Sequence, residues 1–356
     1  MFLHALANVV PEQRLTQREC WEILRHSPSL RKLRPGSRAL LEKILTHDSG
    51  IDSRHFAVAD LDKIFDLDAE SLNNAFEREA PALSERALRA ALAETKLEPK
   101  DLDALIICTC TGYLCPGLSS FVAERVGLRP DIFLQDIVGQ GCGAAIPSLR
   151  SASHLLAAYP NARVAVVAVE ICSAAFYLDD DPGVLISLCL FADGASASIW
   201  NGHPGPTSLR CDGFDTLHIP ADRETIRFEN CGGKLRNKLD KTVPERAAVA
   251  VRALFDRQNG TAKKIGRVIA HAGGKKVIEA VGAGLDGRFP LAESTAILRR
   301  YGNMSSPSVL FALGEHLRNQ TTSNGVDLKN RADDLWLTSF GAGFSAHSCR
   351  LTSDTR

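Results

Sequence analysis

Short apolar runs closed by turn residues alternate along most of this chain with segments of helical periodicity. That alternation restricts it to a layered α/β architecture built on a largely parallel sheet. Ala104–Thr111, rich in Ile and small residues and bounded by Asp103 and Gly112, is one such run; Arg163–Cys172 and Ala195–Trp200 are others. Strands buried on both faces read as continuous apolar stretches, as these do. Between them, Leu83, Ala87, Leu88, Ala91 and Leu92 recur at helical spacing within Leu83–Lys96. Phe121–Val126 and Gly143–Tyr159 read as helices, the second with Pro147 tolerated in its first turns. Asp131–Val138 reads as extended, and the chain up to about residue 80 as helices with irregular connections.

A turn-rich break at Asn201–Pro206 is followed by a polar, weakly periodic region to Asp240. From Pro244 the rhythm resumes with a helix through Arg257 and a strand at Arg267–His271. Helices follow near Lys275–Val281, Leu291–Arg300 and Pro307–Arg318. Two extended runs, Leu335–Phe340 and Phe344–Leu351, flank Gly341-Ala-Gly343. No sequence repeat is visible, yet each half reads as strands with interposed helices, which divides the chain into residues 1–203 and 204–356.

Lys+Arg and Asp+Glu each total 42, so the net charge is +0, which argues against a nucleic-acid partner or a polybasic membrane anchor. Apolar stretches such as Val164–Val169 fall far short of the roughly 18 residues a membrane span needs. Met1–Pro11 lacks the basic lead and small-residue cleavage site of a secretion signal, so a soluble, cytoplasmic protein is expected. The ten cysteines are scattered, several inside apolar runs, as reduced buried thiols are. Only Cys108, Cys110 and Cys115 cluster, and no pair has zinc-ligand spacing, so no metal site is expected.

Chemistry points first to Gln135-Asp-Ile-Val-Gly-Gln-Gly-Cys142-Gly-Ala-Ala-Ile-Pro147, where an extended run ends in glycines and a helix begins at Cys142. A helix N-terminus favours thiolate over thiol, and its free amides can hold an oxyanion. The plainer reading is one more buried small hydrophobe. A nucleophilic cysteine needs a base or ion-pair partner. His271 ends the apolar strand Arg267-Val-Ile-Ala-His and runs into Gly273-Gly274, a placement suited to chemistry; a core histidine satisfied by a carbonyl is the alternative. Asn303, in Tyr301-Gly-Asn-Met-Ser-Ser-Pro307, stands before a helix that Ser305 or Ser306 would cap. It is either a turn residue or a neutral donor near His271. Cys, His and Asn in this order suit papain-like proteolysis or decarboxylative carbon–carbon bond formation on thioesters.

Four segments, Val138-Gly-Gln-Gly-Cys142-Gly-Ala-Ala, His271-Ala-Gly-Gly, Gly302-Asn303-Met-Ser-Ser-Pro and Ser339-Phe-Gly341-Ala-Gly343-Phe, closely resemble the type III polyketide synthases, the chalcone synthase-like family. Cys108-Thr-Cys-Thr-Gly112-Tyr-Leu-Cys-Pro-Gly117 and Leu190-Phe191-Ala-Asp193-Gly194 resemble two more family segments, the former in its bacterial form. The resemblance runs from about residue 50 to the C-terminus. It implies a thiolase-type five-layer αβαβα fold of two duplicated α/β halves, in a homodimer. It implies that Cys142 carries the acyl group while His271 and Asn303 polarise the malonyl thioester. Phe191 and Phe228 would gate the pantetheine tunnel and the cavity, Cys110, Thr111, Ala175 and Ser187 would line that cavity, and Gly341 and Gly343 would contact the substrate. Cys115 would line the same wall or the dimer contact.

The substrates implied are malonyl-CoA and an acyl-CoA or acyl-carrier starter, with no further cofactor, leading to a pyrone or resorcinol/phenol-type product. Ketoacyl synthase III enzymes, which condense once, share the Cys, His and Asn; a non-catalytic acyl- or CoA-binding scaffold is the third reading. One departure stands out. The family's basic CoA-phosphate positions correspond here to Leu41, Ile44 and Asp48, with Arg31, Lys32, Arg34, Arg38 and Arg54 nearby.

Overall fold

The computed structural model describes residues 1–58, 61–207, 209–258, 264–322 and 334–353. The strands are β1 (Phe2–Val9), β2 (Gln13–Thr16), β3 (Ser53–Phe56), β4 (Ala104–Thr109), β5 (Phe133–Val138), β6 (Val164–Glu170) and β7 (Gly194–Asn201). They continue with β8 (Leu209–His218), β9 (Ile226–Cys231), β10 (Lys234–Leu239), β11 (Ile265–Ala270), β12 (Asp334–Gly341) and β13 (Ser345–Ser353). The helices are α1 (Gln17–His26), α2 (Pro28–Arg31), α3 (Pro35–Thr46), α4 (Ala69–Thr95), α5 (Leu118–Val126) and α6 (Ala145–Ala158). After them come α7 (Pro182–Leu190), α8 (Val243–Asp256), α9 (Lys275–Gly284), α10 (Ala292–Tyr301) and α11 (Ser308–Thr322).

Nine strands run in the order β11-β12-β13-β8-β1-β7-β6-β4-β5. Only the pair Phe2↔Arg210 joins β1 to β8, so the ladder is two sheets meeting at a seam. Each sheet repeats the other. In the first, β4 lies parallel to β6, β6 antiparallel to β7, and β7 antiparallel to β1. In the second, β11 lies parallel to β12, β12 antiparallel to β13, and β13 antiparallel to β8. The first sheet adds β5 as an edge, parallel to β4.

Helices α6 and α11 fill the space between the sheets. α6 packs on β4 and β6 from one side and on β8, β12 and β13 from the other, and α11 on β1 and on β11 and β12. α4 covers the outer face of the first sheet and α8 that of the second. The layers are therefore αβαβα. Wholly buried strands such as β6 follow from this, because both their faces meet helices.

The sequence reading missed β1 and resolved nothing between residues 201 and 240, where β8 and the β9–β10 hairpin lie. β1 contains Leu3, Ala5 and Ala7 on its buried positions, a composition with little strand preference. Small side chains are what α4 and α11 need to pack against it, so tertiary packing overrides propensity there. Leu83–Lys96 proved to be the C-terminal part of the 27-residue α4, which carries Pro81 in its interior. Among the described residues no helix is long and apolar enough to cross a membrane.

Candidate active site

β5 leads through Gly139 and Gly141, both at positive φ (80° and 56°), into a single 3₁₀ turn at Gly141–Gly143. α6 follows directly, so Cys142 sits in the turn before the helix, and it is only 6% exposed. The Gly341 backbone lies over this turn: a Cβ there would stand 2.8 Å from the backbone nitrogens of both Cys142 and Gly143. Only glycine permits that approach.

His271 follows β11 and donates its backbone N–H to Thr338 O at 2.9 Å. Its ring is 2% exposed, meets Phe340 edge-on at 5.3 Å between centroids, and leaves Nδ1 without a hydrogen-bond partner. Asn303, 3% exposed, is locked at both ends. Its Nδ2 donates to Gly273 O at 3.1 Å, and its Oδ1 accepts from Ser305 N at 2.8 Å. Ser305 Oγ then lies 3.2 Å from Cys142 Sγ. The structure thus brings Cys142, the Asn303 loop and the strand end bearing His271 into one contiguous cluster, where the N-termini of both central helices converge. Ser305 and Ser306, the cap candidates in the sequence, send their hydroxyls to Cys142 Sγ and to Glu170 Oε1. Ser305 adopts φ 59°, a strained conformation for a non-glycine residue, and turns its hydroxyl toward the sulfur.

Glu170, at the end of β6, was missed. It is fully buried and collects donors. Its Oε2 accepts from the backbone nitrogens of Cys110 (2.9 Å) and Thr111 (3.1 Å) and from the hydroxyls of Thr111 (2.9 Å) and Thr109 (3.2 Å). Its Oε1 takes the Ser306 hydroxyl at 2.6 Å and lies 3.3 Å from Ser305 Oγ. Burial pushes its carboxyl above the usual range, against the pull of these donors. A lone acid closing the otherwise apolar run of β6 was the available signal.

At this site burial works against the ionisation that the helix end would favour. Burial pushes the Cys142 thiol up to about 12, and the nearby Glu170 adds to that, while the Ser305 hydroxyl opposes it. Burial also brings His271 down to about 3. A dry site penalises each charge separately, whereas transferring the proton from sulfur to imidazole creates both charges together, beside each other.

Cys142 and Ser305 open into a cavity of about 240 Å³. Phe191, Phe228, Cys110, Thr111, Ala175 and Ser187 all line it, with Asn237 donating to Ser187 Oγ at 2.8 Å. His271 and Asn303 stand behind the lining, and of the glycine turn it is Ala342, between Gly341 and Gly343, that reaches the cavity. Cys115 is exposed and lies outside the lining. Phe176, Tyr177, Ile226 and Arg227 also line it and were not anticipated.

Of the basic residues near the departed CoA positions, Arg54 is 2% exposed. It donates to Leu188 O (2.7 Å), Phe191 O (2.8 Å) and Gln17 Oε1 (2.9 Å), so it braces the chain around Phe191 and is unavailable to a phosphate. Leu41 is buried, and Asp48 pairs with Lys275 at 3.4 Å and Arg299 at 3.8 Å. Among the described residues no group of three or more His, Cys, Asp or Glu side chains is arranged to hold a metal ion.

A family model described as FAE1/type III polyketide synthase-like protein matches residues 8–206 of this chain. The chain belongs to the type III polyketide synthase family. A second model, the C-terminal part of 3-oxoacyl-[acyl-carrier-protein] synthase III, matches residues 255–352 of this polyketide synthase. It is 29% identical to the 1,3,6,8-tetrahydroxynaphthalene synthase of Streptomyces coelicolor, covering 98% of this chain and 91% of that one. It is 34% identical to the 3,5-dihydroxyphenylacetyl-CoA synthase of Amycolatopsis balhimycina, over 64% of this chain and 63% of the other. The crystal structure of the Streptomyces coelicolor tetrahydroxynaphthalene synthase matches with a TM-score of 0.86 and 27% identity, covering 100% of both chains. The synthase has the expected thiolase-type fold and is a condensing enzyme of the acyltransferase class.

Proposed function

We propose that this polyketide synthase loads an acyl starter onto Cys142 and extends it by repeated decarboxylative condensation with malonyl-CoA. Ring closure then gives a pyrone or a resorcinol/phenol-type product. The observation that carries this reading is a buried cysteine opening, beside Ser305, into a cavity of about 240 Å³. In loading, the Cys142 proton passes to His271 and the sulfur attacks the thioester carbonyl. CoA or the carrier leaves as a thiolate that takes its proton from water, so His271 keeps the one it received. Asn303 Nδ2 and the His271 ring then face the malonyl thioester oxygen as donors. Loss of CO₂ breaks the bond between the carboxylate carbon and C2 and leaves the electron pair as an enolate, which those donors stabilise best in a water-poor site. The enolate carbon attacks the acyl carbonyl on Cys142, the carbon–sulfur bond breaks, and the chain leaves two carbons longer on CoA. Every step is redox-neutral, so CoA thioesters suffice without a further cofactor.

The match of residues 255–352 to ketoacyl synthase III favours a second reading, a single condensation. A cavity beside the nucleophile supports the iterative one, since a growing chain needs room. Mass spectrometry of products from malonyl-CoA and acyl-CoA starters decides. One added two-carbon unit means the second reading, and several with ring closure mean the first. A Cys142→Ala protein that keeps every activity would instead leave only a scaffold.

We also infer a homodimer. Phe133 (52% exposed), Leu134 (36%) and Val138 (49%) lie on β5, the edge strand that pairs only with β4 among the described residues. An open apolar edge of this kind calls for a partner strand. The division into residues 1–203 and 204–356 gains support from the repeated strand order. The ten free cysteines agree with a cytoplasmic location, and neither a nucleic acid nor a membrane enters the proposed reaction.

A further inference from the structure

Behind the Cys142 turn lies a buried histidine that the condensation chemistry does not use. His347, on β13 and 5% exposed, faces Ser339 of β12 and Thr216 of β8 in the ladder. Its ring rests on Gly143, where an added Cβ would stand 3.0 Å from His347 Cδ2 and 3.4 Å from Nε2. Nδ1 lies 3.1 Å from Thr216 Oγ1, and Nε2 lies 3.2 Å from Ser345 Oγ. The Ser345 hydroxyl donates to Ala342 O at 2.8 Å. A hydroxyl has one hydrogen, so Ser345 Oγ must accept from Nε2–H, which leaves Nδ1 to accept from Thr216. The result is one directed relay from Thr216 through the imidazole and Ser345 to the Ala342 carbonyl, with the tautomer fixed. Ala342 lines the cavity, and its neighbour Gly341 lies over the amides of Cys142 and Gly143.

We propose that His347 is a positioning residue: through Ser345 it holds the Gly341–Gly343 turn against the Cys142 backbone, and so fixes where the thioester carbonyl sits during condensation. The assignment rests on the condensing reaction proposed above. The ring stays neutral, because burial, with His218 and Arg150 nearby, lowers its pKa to about 4. A space-filling role is met by any side chain of similar bulk. The relay needs an acceptor on one side and a donor on the other, which an amide supplies and a hydrocarbon does not.

The test compares full-length wild type with His347→Leu and His347→Gln at varied malonyl-CoA and a fixed acyl-CoA starter. His347→Leu lowers kcat about tenfold, the worth of roughly one hydrogen bond, while KM for malonyl-CoA stays within about twofold. His347→Gln restores most of kcat. Should the leucine variant fail to fold, Thr216→Val removes the first donor of the relay and lowers kcat about threefold or more at unchanged KM. The assignment is overturned if leucine turns over as fast as glutamine, if KM rises in step with the loss of kcat, or if Thr216→Val has wild-type kinetics. A wild type that forms acyl-Cys142 but shows no malonyl-CoA turnover would overturn the condensing reaction itself, and the assignment with it.

Discussion

Replacing Ser305 with alanine isolates what tunes the nucleophile. The hydroxyl stands 3.2 Å from Cys142 Sγ and 3.3 Å from Glu170 Oε1, and it has one hydrogen to give. With a thiol in place the hydrogen serves the carboxylate; when the sulfur ionises, the sulfur becomes the stronger local acceptor and draws it. A hydrogen bond to a charged group contributes about 1.5–3 kcal/mol, and one pKa unit corresponds to about 1.36 kcal/mol. Removing the hydroxyl therefore pushes the already raised thiol pKa further up, disfavouring the thiolate by about 1.5–3 kcal/mol. Alkylation below that pKa follows the thiolate fraction, so iodoacetamide labels Cys142 roughly tenfold to a hundredfold more slowly in Ser305→Ala. The assay follows the Cys142 peptide by mass spectrometry from pH 6 to 10, with the exposed Cys115 as an internal standard. Superimposable rate profiles for the two proteins would refute the reasoning, since the hydroxyl hydrogen would then remain with Glu170 in both states of the sulfur.

Arg54→Met strips three acceptors of their buried donor, so the urea midpoint should fall by an amount worth about 4 kcal/mol; a loss below about 1 kcal/mol joined to weaker CoA binding would restore Arg54 as a phosphate ligand. Phe176 is the wall shared by the cavity, an apolar crevice of about 40 Å³ lined by residues including Leu24, Leu45 and Ile64, and a polar pocket of about 330 Å³. Phe176→Ala should shift starter preference toward longer acyl chains, about fourfold in kcat/KM per methylene that gains cover, and an unchanged chain-length profile counts against it. His347 titrates at about 4 in the fold against 6.5 for the free group. Below pH 6.5 the unfolded chain takes up a proton that the folded one refuses, so this stability is lost as pH falls toward 4. Comparing urea midpoints, wild type should lose about 3 kcal/mol relative to His347→Gln between pH 7 and 4, and a constant difference would contradict the burial argument.

The chemistry-bearing loops were legible because they carry their geometry locally. Glycines on both sides of Cys142, the glycine turn after His271 and the Gly302–Asn303 corner each mark a place where the backbone must bend at an element's end. Strands β4, β6 and β7 were legible because burial on both faces leaves an unbroken apolar run. What escaped is what only assembly decides. β1 holds a single β-branched residue, Val9, and becomes a strand because two helices close on it. Arg54 looks like a surface cation until Leu188 and Phe191 turn their carbonyls toward it. Glu170 belongs to the site because two stretches far apart in the chain, Thr109–Thr111 and Ser305–Ser306, aim their donors at one point. The unanticipated wall residues Ile226 and Arg227 come from a hairpin whose polar sequence reads as loop.

The seam between the two sheets has a mechanical consequence. Sulfur approaches from one side of it and the hydroxyl and carboxamide from the other, so turnover doubles as a gauge of alignment across the join. A slippage of about an ångström, too slight to melt either side, would part the reacting groups and slow the chemistry on the order of a hundredfold. Catalysis in such a molecule should therefore fade, on heating or mild denaturant, before any spectroscopic sign that the chain has come undone.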